Sequence, residues 1–343
     1  MVTVVTGAAG MLGSAVAARL TADGHAVVGL DLREVAERPG YRHVTGDVRD
    51  AGALAAVMRD AGAAVHCAAA LPSYPPEQIR SITVDGTRAV FGAAAAAGVP
   101  RLVHISSTAV YGLPALVPTP EEHGHAPVDP YSTAKAEAER IAAAHRGTGM
   151  IVPVLRPKTF LGPGRMGLFS MLFQWAHEGR GFPVLGDGGV RIQMLHVDDL
   201  VEAVTRVLLA PAATAGDTYN IAAAEFGTLR EDFQAVLDAA GHGKRVVALP
   251  ARPAVAVLGM LERAGLSPVY GRLLHKLKTD SYVDITKASR RLGFVPRYSN
   301  RDAILQTFAW WRAEAARPAA TRGGRTSRDP WRQGILAAAK VFF

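Results

Sequence analysis

A glycine-rich turn near the start of the chain constrains the fold more than any other feature. The apolar run Val2–Val5 is typical of a buried strand, Thr6–Gly13 (TGAAGMLG) follows it directly, and Ser14–Asp23 has the composition of a helix. Glycines at such a junction let the backbone approach a pyrophosphate, and the start of the helix supplies amide donors and a favourable dipole. The pattern therefore predicts a dinucleotide site between the first strand and the first helix.

The first half of the chain repeats this alternation of strand and helix. Strands are predicted at 26–30, 44–46, 64–66, 102–105 and 150–155, and the longer helices at 77–97 and 130–145. Six such repeats are typical of a parallel sheet that is covered by helices on both faces. We therefore predict an α/β fold with a doubly wound, Rossmann-type parallel sheet.

The alternation breaks down after Arg156, where glycine-rich loops appear. We predict that a smaller, discontinuous C-terminal substrate lobe grows from the carboxyl end of the sheet. The predicted divisions are a dinucleotide-binding Rossmann domain at 1–161, to which 190–221 returns, a substrate-binding lobe at 162–189 and 222–311, and a basic, flexible tail at 312–343.

Composition excludes several classes of protein. Of 343 residues, 49% are hydrophobic and 20% are charged, which is ordinary globular usage and excludes a disordered chain. The chain opens on a strand instead of a secretory signal, and no apolar run reaches the ~20 residues of a membrane span. The single cysteine, Cys67, cannot form an internal disulfide. We therefore expect a cytoplasmic protein.

Positive charge is concentrated at the end of the chain. The net charge is +8, and five of these charges lie within 312–343. The remainder is only mildly basic and shows no base-reading or stacking module, so we do not expect nucleic-acid binding. Residues 331–343 are apolar and basic but too short to span a bilayer. Two alternatives stay open for them: peripheral contact with an anionic membrane or a protein partner, or a frayed terminus.

Two further patterns extend the prediction from fold to chemistry. Asp31 follows Gly13 by 18 residues at the end of the second predicted strand, where a carboxylate binds the adenosine ribose and repels a 2′-phosphate. Arg33 nearby keeps tolerance of NADP open. Tyr131 and Lys135 share one face of a predicted helix. A nearby ammonium lowers the pKa of a phenol, which makes tyrosine usable as a base near neutral pH.

Together these residues resemble the extended (atypical) short-chain dehydrogenase/reductase family, the NAD-dependent epimerases and dehydratases, from Val2 to about Trp311. The resemblance rests on an ordered series of motifs: TGAAGMLG at 6–13, Asp31, GDV at 46–48, HCAA at 66–69, VDGT at 84–87, SSTAVYG at 106–112, YSTAK at 131–135, LRP at 155–157, GPG at 162–164 and HVDD at 196–199. So many ordered matches are specific for the family and much less so for its substrate.

The resemblance implies that the cofactor is NAD. It also implies the residues that hold it: Gly7, Gly10, Met11, Leu12, Gly13, Asp31, Asp47, Val48, Ala68, Ala69, Tyr131, Lys135 and Pro157. Asp31 would bind the adenosine ribose, Asp47 and Val48 would hold the adenine, and Pro157 would lie beside the nicotinamide.

The same resemblance implies a catalytic set of three residues. Tyr131 would be the acid/base, Lys135 would bind the nicotinamide ribose and tune Tyr131, and Ser107 would hydrogen-bond the reacting oxygen. The implied chemistry is hydride transfer between a carbinol carbon and the nicotinamide. We expect no metal, because histidines such as His66 lie in or beside strands without carboxylates at metal-ligand spacing.

Departures from the family pattern bear on the substrate. Family dehydratases carry an Asp–Glu pair where this chain has Thr108 and Ala109, so we do not expect dehydration. Nucleotide-sugar enzymes usually place an arginine at the position of Ile192, and Thr159 stands where an asparagine often follows the sixth strand. The residues predicted to contact the substrate are Thr108, Lys158, Thr159, Arg165 and Arg191.

The favoured interpretation is a NAD-dependent epimerase of a nucleotide-linked sugar that works through a transient ketone. The resemblance also implies a homodimer, paired through the helices at 77–97 and 130–145. The alternative is an NAD(P)-dependent reductase or dehydrogenase of a hydroxysteroid- or dihydroflavonol-like small molecule, which shares every cofactor motif. A third class is a non-catalytic dinucleotide sensor, against which the intact set of Ser107, Tyr131 and Lys135 argues.

Overall fold

A computed structural model describes residues 1–164, 169–250, 253, 256, 260 and 279–315, and its centre is a parallel sheet. The strands of the described residues are β1 (Val2–Thr6), β2 (Ala26–Asp31), β3 (Tyr41–Thr45), β4 (Ala63–His66), β5 (Leu102–Ile105), β6 (Val154–Pro157), β7 (Phe160–Leu161), β8 (Phe182–Leu185), β9 (Leu195–His196), β10 (Thr218–Ile221) and β11 (Val246–Leu249). Seven of them form one sheet in the order β10-β6-β5-β4-β1-β2-β3. The predicted doubly wound α/β fold is thereby confirmed.

Helices cover both faces of this sheet because apolar residues fill successive positions of its strands. The α-helices of the described residues are α1 (Met11–Ala22), α2 (Ala51–Met58), α3 (Pro76–Arg80), α4 (Gly86–Ala96), α5 (Pro130–Ala144), α6 (Ser170–His177), α7 (Val197–Leu209), α8 (Ala212–Ala215), α9 (Leu229–Ala240), α10 (Thr286–Leu292) and α11 (Asn300–Ala315). Val4 and Leu102 pack with residues of α2 and α4. Their neighbours Val5 and Val103 point the other way and pack with α1 and α7.

The strand register brings four carboxyl ends to one edge of the sheet. Thr6 at the end of β1 lies opposite His66 of β4, and His66 lies opposite His104 of β5. Ile105 of β5 in turn lies opposite Leu155 of β6. The turns that follow these strands carry the predicted cofactor and catalytic residues, at the edge where parallel sheets of this kind bind ligands.

A second apolar core fills the C-terminal part of the described chain. The Phe173 ring of α6 lies 5.4 Å from that of Phe308 on α11, and Trp175 lies 5.4 Å from Phe182 of β8. Phe173 and Trp175 are fully buried. The apolar stripe of α6 therefore forms part of this core.

Residues 281–284, which we call the 281–284 segment, are hydrogen-bonded on both sides. On one side Ser281 N donates to Arg191 O at 2.8 Å, and Gln193 N donates to Ser281 O at 3.1 Å. On the other side Thr119 N donates to Tyr282 O at 3.1 Å. The segment therefore joins the loop before α5 to the stretch that leads into β9.

Two elements differ from the sequence prediction. The predicted helix 77–97 is divided into α3 and α4 by a π-helical turn, Ser81–Asp85. The predicted strand 150–155 starts later, as β6, because Pro153 has no N–H to donate to a ladder. The edge strand β10 and the short helix α2 were not predicted.

The predicted tail lies outside the described residues from 316 onward. Within the part of the chain that the structure describes, no helix is both long enough and apolar enough to cross a membrane.

Candidate active site

The glycine turn between β1 and α1 is closely packed. Gly7 has a φ of +69°, and its N–H donates to Leu30 O at 2.8 Å. A Cβ on Gly13 would lie 2.1 Å from the Gly7 carbonyl oxygen, and a Cβ on Gly7 would lie 2.8 Å from Ala68 N. Only glycine fits at these two positions, so the turn presents backbone instead of side chains.

The start of α1 suits an anion. Gly10 is the N-cap residue, no side chain caps the helix, and its first turn carries no acidic residue. The first N–H groups of a helix have no intrahelical partner, and the helix dipole favours negative charge beside them. The predicted cofactor residues Met11 and Leu12 belong to this first turn. The turn and the helix start together fit a pyrophosphate.

Asp31 ends β2 beside the glycine turn. Its Oδ2 accepts a hydrogen bond from Ala9 N and its Oδ1 accepts one from Arg33 N, both at 3.0 Å. The Arg33 Nε lies 3.7 Å from the same Oδ1. The carboxylate therefore lies at the rim of the turn, where the sequence predicts the contact with the adenosine ribose.

Asp47 and Val48 follow β3 and lie near the π-helical turn and α4. Arg49 donates its backbone N–H and its Nε to Asp47 Oδ1, both at 2.9 Å. These hydrogen bonds lower the pKa of Asp47, although partial burial acts in the opposite direction. Val48 is buried, and its Cγ2 would lie 3.0 Å from a Cβ on Gly86. An ionised acceptor beside an apolar wall fits an adenine.

His66 serves the scaffold and is not a catalyst. Its Nδ1 lies 2.8 Å from Thr6 Oγ1, and its Nε2 lies 3.1 Å from Thr87 Oγ1. Because Thr87 donates its own hydroxyl proton to Thr83 O, Nε2 must carry the imidazole proton and Nδ1 accepts from Thr6. Burial lowers the pKa of His66 well below its ordinary value. The neutral ring ties β1 and β4 to α4.

Cys67, Ala68 and Ala69 form the half-buried turn after β4. Ala68 N donates to Thr6 Oγ1 at 3.4 Å, which holds this turn against the glycine turn. Burial raises the pKa of Cys67 to about 12, although nearby Lys135 acts in the opposite direction. Cys67 is therefore a thiol at neutral pH and not an activated nucleophile.

The first turn of α5 carries Tyr131. The helix begins with a capping box in which Ser132 N donates to Asp129 Oδ1 at 2.7 Å and Asp129 N donates to Ser132 Oγ at 3.0 Å. Two reciprocal bonds fix the start of the helix and with it the direction of Tyr131. Tyr131 is half-buried, and Lys135 follows it by one turn.

The ammonium of Lys135 lies at the carboxyl end of β5. Lys135 is buried and its Nζ donates to Ile105 O at 2.8 Å, two residues before Ser107. Burial lowers the pKa of Lys135 to about 8, although Cys67 and Glu139 act in the opposite direction. The structure thus brings the ammonium and the predicted catalytic hydroxyl to the same strand end.

Ser107 opens a short 3₁₀ turn, Thr108–Tyr111, after β5. Its Oγ accepts from Ala109 N at 3.1 Å, which leaves the hydroxyl proton for another acceptor. Thr108 is buried and its Oγ1 donates to Pro157 O at 3.4 Å, at the end of β6. The positions after Ser107 therefore carry a hydroxyl and a methyl group and no carboxylate.

A buried ion pair that the sequence analysis missed lies behind these residues. Glu139, one turn after Lys135, pairs with Arg156 of β6 at 2.7 Å, and the two side chains are 6% and 7% exposed. Although burial opposes ionisation, hydrogen bonds from His125 and Arg156 lower the pKa of Glu139 to about 2. The sequence did contain a signal for this pair. Tyr131, Lys135 and Glu139 recur every four residues and so share one face of the helix, and a charge that is buried on such a face needs a partner.

Lys158 and Thr159 differ in their surroundings. Lys158 is 5% exposed, and its Nζ donates to Ser281 O at 2.8 Å and to Ser281 Oγ at 2.9 Å. Its charge is therefore held by Ser281 and is not exposed to solvent. Thr159 is exposed. Arg165 lies outside the described residues.

Arg191 lies on an aromatic surface. Its guanidinium is 4.7 Å from the ring centroid of Phe226 and 5.5 Å from that of Tyr282, distances that favour cation–π attraction. Phe226, Tyr282 and Ser281 were not predicted, because each is far in sequence from the residue that it contacts and no local pattern marks it.

No metal centre is present in the described ranges: among those residues no group of three or more His, Cys, Asp or Glu could hold an ion. His104 is buried, and burial lowers its pKa to about 3. His196 is also buried, and its Nδ1 accepts from Asp198 N at 3.2 Å. Both histidines therefore belong to the scaffold.

Comparison with known proteins gives a consistent family and several activities. The model of the NAD dependent epimerase/dehydratase family matches residues 3–222. The chain is 33% identical to the uncharacterized protein y4nG of Sinorhizobium fredii, over 97% of this chain and 84% of that protein. It is 30% identical to the UDP-glucose 4-epimerase of Mycolicibacterium smegmatis, over 91% of this chain and 99% of that protein. It is 28% identical to the 2-alkyl-3-oxoalkanoate reductase of Stenotrophomonas maltophilia, over 88% and 96%.

Solved structures share the fold. The UDP-glucose 4-epimerase of Thermotoga maritima, solved with UDP-glucose, superposes with a TM-score of 0.76 at 22% identity, over 92% of this chain and all of that one (100%). DesIV, a dTDP-glucose 4,6-dehydratase of Streptomyces venezuelae solved with NAD bound, superposes with a TM-score of 0.74 at 29% identity, over 91% and 97%.

Proposed function

The chain belongs to the NAD-dependent epimerase/dehydratase family of extended short-chain dehydrogenase/reductase enzymes, and from that premise we propose that it is an epimerase of a nucleotide-linked sugar. The observation that carries the proposal is a catalytic set without a dehydratase acid: the Lys135 ammonium bonds to Ile105 O at the end of β5, two residues before Ser107, while Thr108 and Ala109 follow Ser107. The M. smegmatis epimerase and the structural neighbours solved with UDP-glucose or UDP-glucuronic acid support the same substrate class.

NAD is the cofactor of the family, and the residues of this chain fit it. The Gly7–Gly13 cradle admits no Cβ, the start of α1 has no side-chain cap, and Asp31 lies at its rim. We assign the pyrophosphate to Gly7, Gly10, Met11, Leu12 and Gly13, the adenosine end to Asp31, Asp47 and Val48, and the nicotinamide end to Ala68, Ala69, Tyr131, Lys135 and Pro157. Bound NAD supplies a hydride acceptor that later returns the hydride.

The side chains of this site carry out the proton transfer that accompanies hydride transfer. Tyr131 takes the proton from the sugar hydroxyl and returns it once the opposite face of the ketone has been reduced. Lys135 stabilises the phenolate of Tyr131 because an ammonium lies one helical turn away. Ser107 donates to the reacting oxygen, for which its hydroxyl proton is available. Ser107 follows β5, and the Lys135 ammonium reaches the end of the same strand at Ile105 O.

The proposed lack of dehydratase activity follows from chemistry. Removal of water across two carbons needs an acid and a base beside the second carbon, and Thr108 and Ala109 provide neither. Both are buried, and Thr108 already donates to Pro157 O at 3.4 Å. We therefore separate this chain from its dehydratase relatives by reaction, although it shares their fold.

The substrate side of the site is proposed from five residues: Thr108, Lys158, Thr159, Arg165 and Arg191. Arg191 is exposed and lies over Phe226 and Tyr282, which provides a cation next to two aromatic rings. Such a surface suits a base and a phosphate together. We divide the chain accordingly into a NAD-binding domain at 1–161 with 190–221, a substrate lobe at 162–189 and 222–311, and a tail at 312–343.

The test is whether the purified protein interconverts sugars without added cofactor. We expect it to carry NAD(H), because a redox-neutral reaction must keep its cofactor between half-reactions. UDP- and dTDP-linked glucose, galactose and glucuronate are incubated with the protein, and the products are separated by chromatography and identified by NMR. A protein that arrives empty and consumes stoichiometric NAD(P)H with a ketone would replace this function with that of a reductase, which the S. maltophilia relative supports.

Cofactor choice gives a separate prediction. Asp31 faces the ribose position, so a 2′-phosphate meets like charge, and we expect binding calorimetry to give NAD at least about 10-fold tighter binding than NADP. Asp31→Asn should narrow this preference and leave the fold intact. Asp23→Asn, at the opposite end of β2 and paired with Arg19, is the control and should not change it. Equal affinities in the unmodified protein would contradict the assignment of Asp31.

A homodimer paired through α4 and α5 is also proposed. Their outer faces present small residues, with Gly92, Ala96 and Ala143 exposed, and small residues allow close helix approach. Light scattering at micromolar concentration is expected to give twice the chain mass of 36.2 kDa. A monomer at that concentration would remove the proposal. We place the protein in the cytoplasm, with the tail as the candidate contact for a membrane surface or a partner.

A further inference from the structure

The carboxylate of Glu139 connects the three segments that carry the proposed catalytic site. Glu139 is 5% exposed and lies on α5, one turn after Lys135. Ser106 Oγ donates to its Oε1, and Ser106 is the residue before Ser107. Arg156 donates to it from Nε at 2.9 Å and from a terminal nitrogen at 2.7 Å, and Arg156 is the residue before Pro157. One carboxylate thus bonds to the immediate neighbours of two site residues and shares a helix with a third.

The network continues away from the site. Arg156 also donates to the Tyr111 hydroxyl at 2.8 Å, and Tyr111 donates to Asn220 Oδ1 at 2.8 Å. Asn220 lies on β10 and is fully buried. Glu139 is therefore anchored through Arg156 to the edge strand of the sheet. Several hydrogen bonds restrict the buried carboxylate of Glu139 to one position, and they also fix the positions of Ser106 and Arg156, which donate to it.

We propose that Glu139 is a positioning residue that aligns Ser107, Lys135 and Pro157 with one another and keeps the ammonium of Lys135 charged. The inference rests on the proposed hydride-transfer function. Glu139 does not touch the substrate or the cofactor and acts only through its neighbours.

The charge state of Lys135 depends on the titratable groups that surround it. The titratable groups around Lys135 are Tyr131 one turn before it on α5, Cys67 in the turn after β4, His66 on β4, His104 on β5 and Glu139 one turn after it on α5. Those that face Glu139 are His125, Arg156, Lys135, His104 and Arg146. Burial keeps both His66 and His104 neutral and keeps Cys67 a thiol. Glu139 is therefore the carboxylate that favours the charged form of Lys135.

Loss of the Glu139 charge should change the pH dependence of activity in one direction. An anion near an ammonium favours its charged form, so the loss of the Glu139 charge lowers the pKa of Lys135 from about 8. Neutral Lys135 no longer favours the phenolate of Tyr131. The alkaline limb of the activity profile should therefore move to lower pH, and turnover near pH 8 should fall, while NAD stays bound through the glycine turn.

The experiment compares Glu139→Gln with Glu137→Gln in the full chain. Glu137 lies on the same helix but pairs at the surface with Arg80 at 2.6 Å, so its variant is a matched control. The Lys135 ammonium is titrated by NMR with ¹³C-labelled lysine, and NAD affinity is measured by calorimetry. We expect the Lys135 titration in Glu139→Gln to move down by about one pH unit or more, with kcat reduced roughly 10-fold or more and KM nearly unchanged. Glu137→Gln should match the unmodified protein.

A second variant covers the case in which Glu139→Gln does not fold. Removing one partner of a buried ion pair leaves an uncompensated charge, whereas removing both is far better tolerated. Glu139→Gln/Arg156→Met should therefore melt closer to the unmodified protein and still show the lowered Lys135 titration. An unchanged Lys135 titration in either folded variant would overturn the inference. The titration needs no substrate, so absence of turnover on every nucleotide sugar would count against the proposed function and leave this readout intact.

Discussion

Tyr131→Phe is expected to reduce turnover by roughly two to four orders of magnitude while NAD affinity stays within a few fold of that of the unmodified protein. The variant removes only the phenolic oxygen, and the first turn of α5 remains fixed by Asp129 and Ser132. The proposed cofactor contacts of the glycine turn lie on another element, 118 or more residues earlier than Tyr131. The variant therefore distinguishes NAD binding, which should be retained, from proton transfer, which should be lost. The measurements are kcat for the interconverted nucleotide sugar and NAD affinity by calorimetry.

Tyr74→Phe is the control for this change. Tyr74 packs against the same apolar cluster as Tyr131 but has no lysine one helical turn after it. We expect it to keep most of the activity. Near-normal turnover in Tyr131→Phe would remove Tyr131 as the acid/base and with it the assignment of Lys135 as the group that tunes it.

Gly13→Ala is expected to abolish NAD binding and to destabilise the fold by about 3 kcal/mol or more. The new Cβ would lie 2.1 Å from Gly7 O and 2.7 Å from Gly7 C, which are backbone atoms of the same turn. No side-chain rotation can relieve these contacts, so either the turn opens or α1 moves off it. Both changes destroy the cradle for the pyrophosphate. Thermal unfolding and calorimetry with NAD measure the two effects.

Gly124→Ala is the matched control. Gly124 is exposed, has no positive φ, and has no atom within 4 Å of an added Cβ. Alanine has fewer unfolded conformations than glycine, so we expect a stabilisation of about 0.4–1 kcal/mol and unchanged NAD affinity. If Gly13→Ala behaved like this control, the close packing of the turn would not be what excludes a side chain there.

Local features of the fold could be predicted from the sequence because their residues are neighbours in the chain. The strand, the glycine turn and the helix that follow one another from Val2 to Ala22 form one continuous pattern, and Asp31 ends the next strand. Tyr131 and Lys135 are related by helical spacing alone. For these residues the local pattern is enough to predict which side chains share a helix face and which lie at the carboxyl edge of the sheet.

The remaining parts depend on contacts that no local pattern shows. Arg156 meets Glu139 because β6 lies beside β5 and α5 packs over it, and only the fold as a whole sets that pairing. β10 is a four-residue strand whose polar Asn220 is buried only because Tyr111, Thr119 and Asp284 supply its hydrogen bonds. A period-based prediction has no means of finding such a strand.

The 281–284 segment has a consequence for the order in which the molecule can be completed. The Lys158 ammonium and its acceptors on Ser281 are separated by 123 positions, and the Asn220 amide reaches Asp284 O across 64. While the chain is being synthesised, Lys158 therefore remains without these two acceptors until more than a hundred further residues have been added. A buried ammonium without acceptors is costly, so the end of β6 beside Pro157 is completed only once Ser281 is present. Strands β1 to β6 and helices α1 to α5 all lie within residues 1–157, so they can fold before the 281–284 segment is added to them.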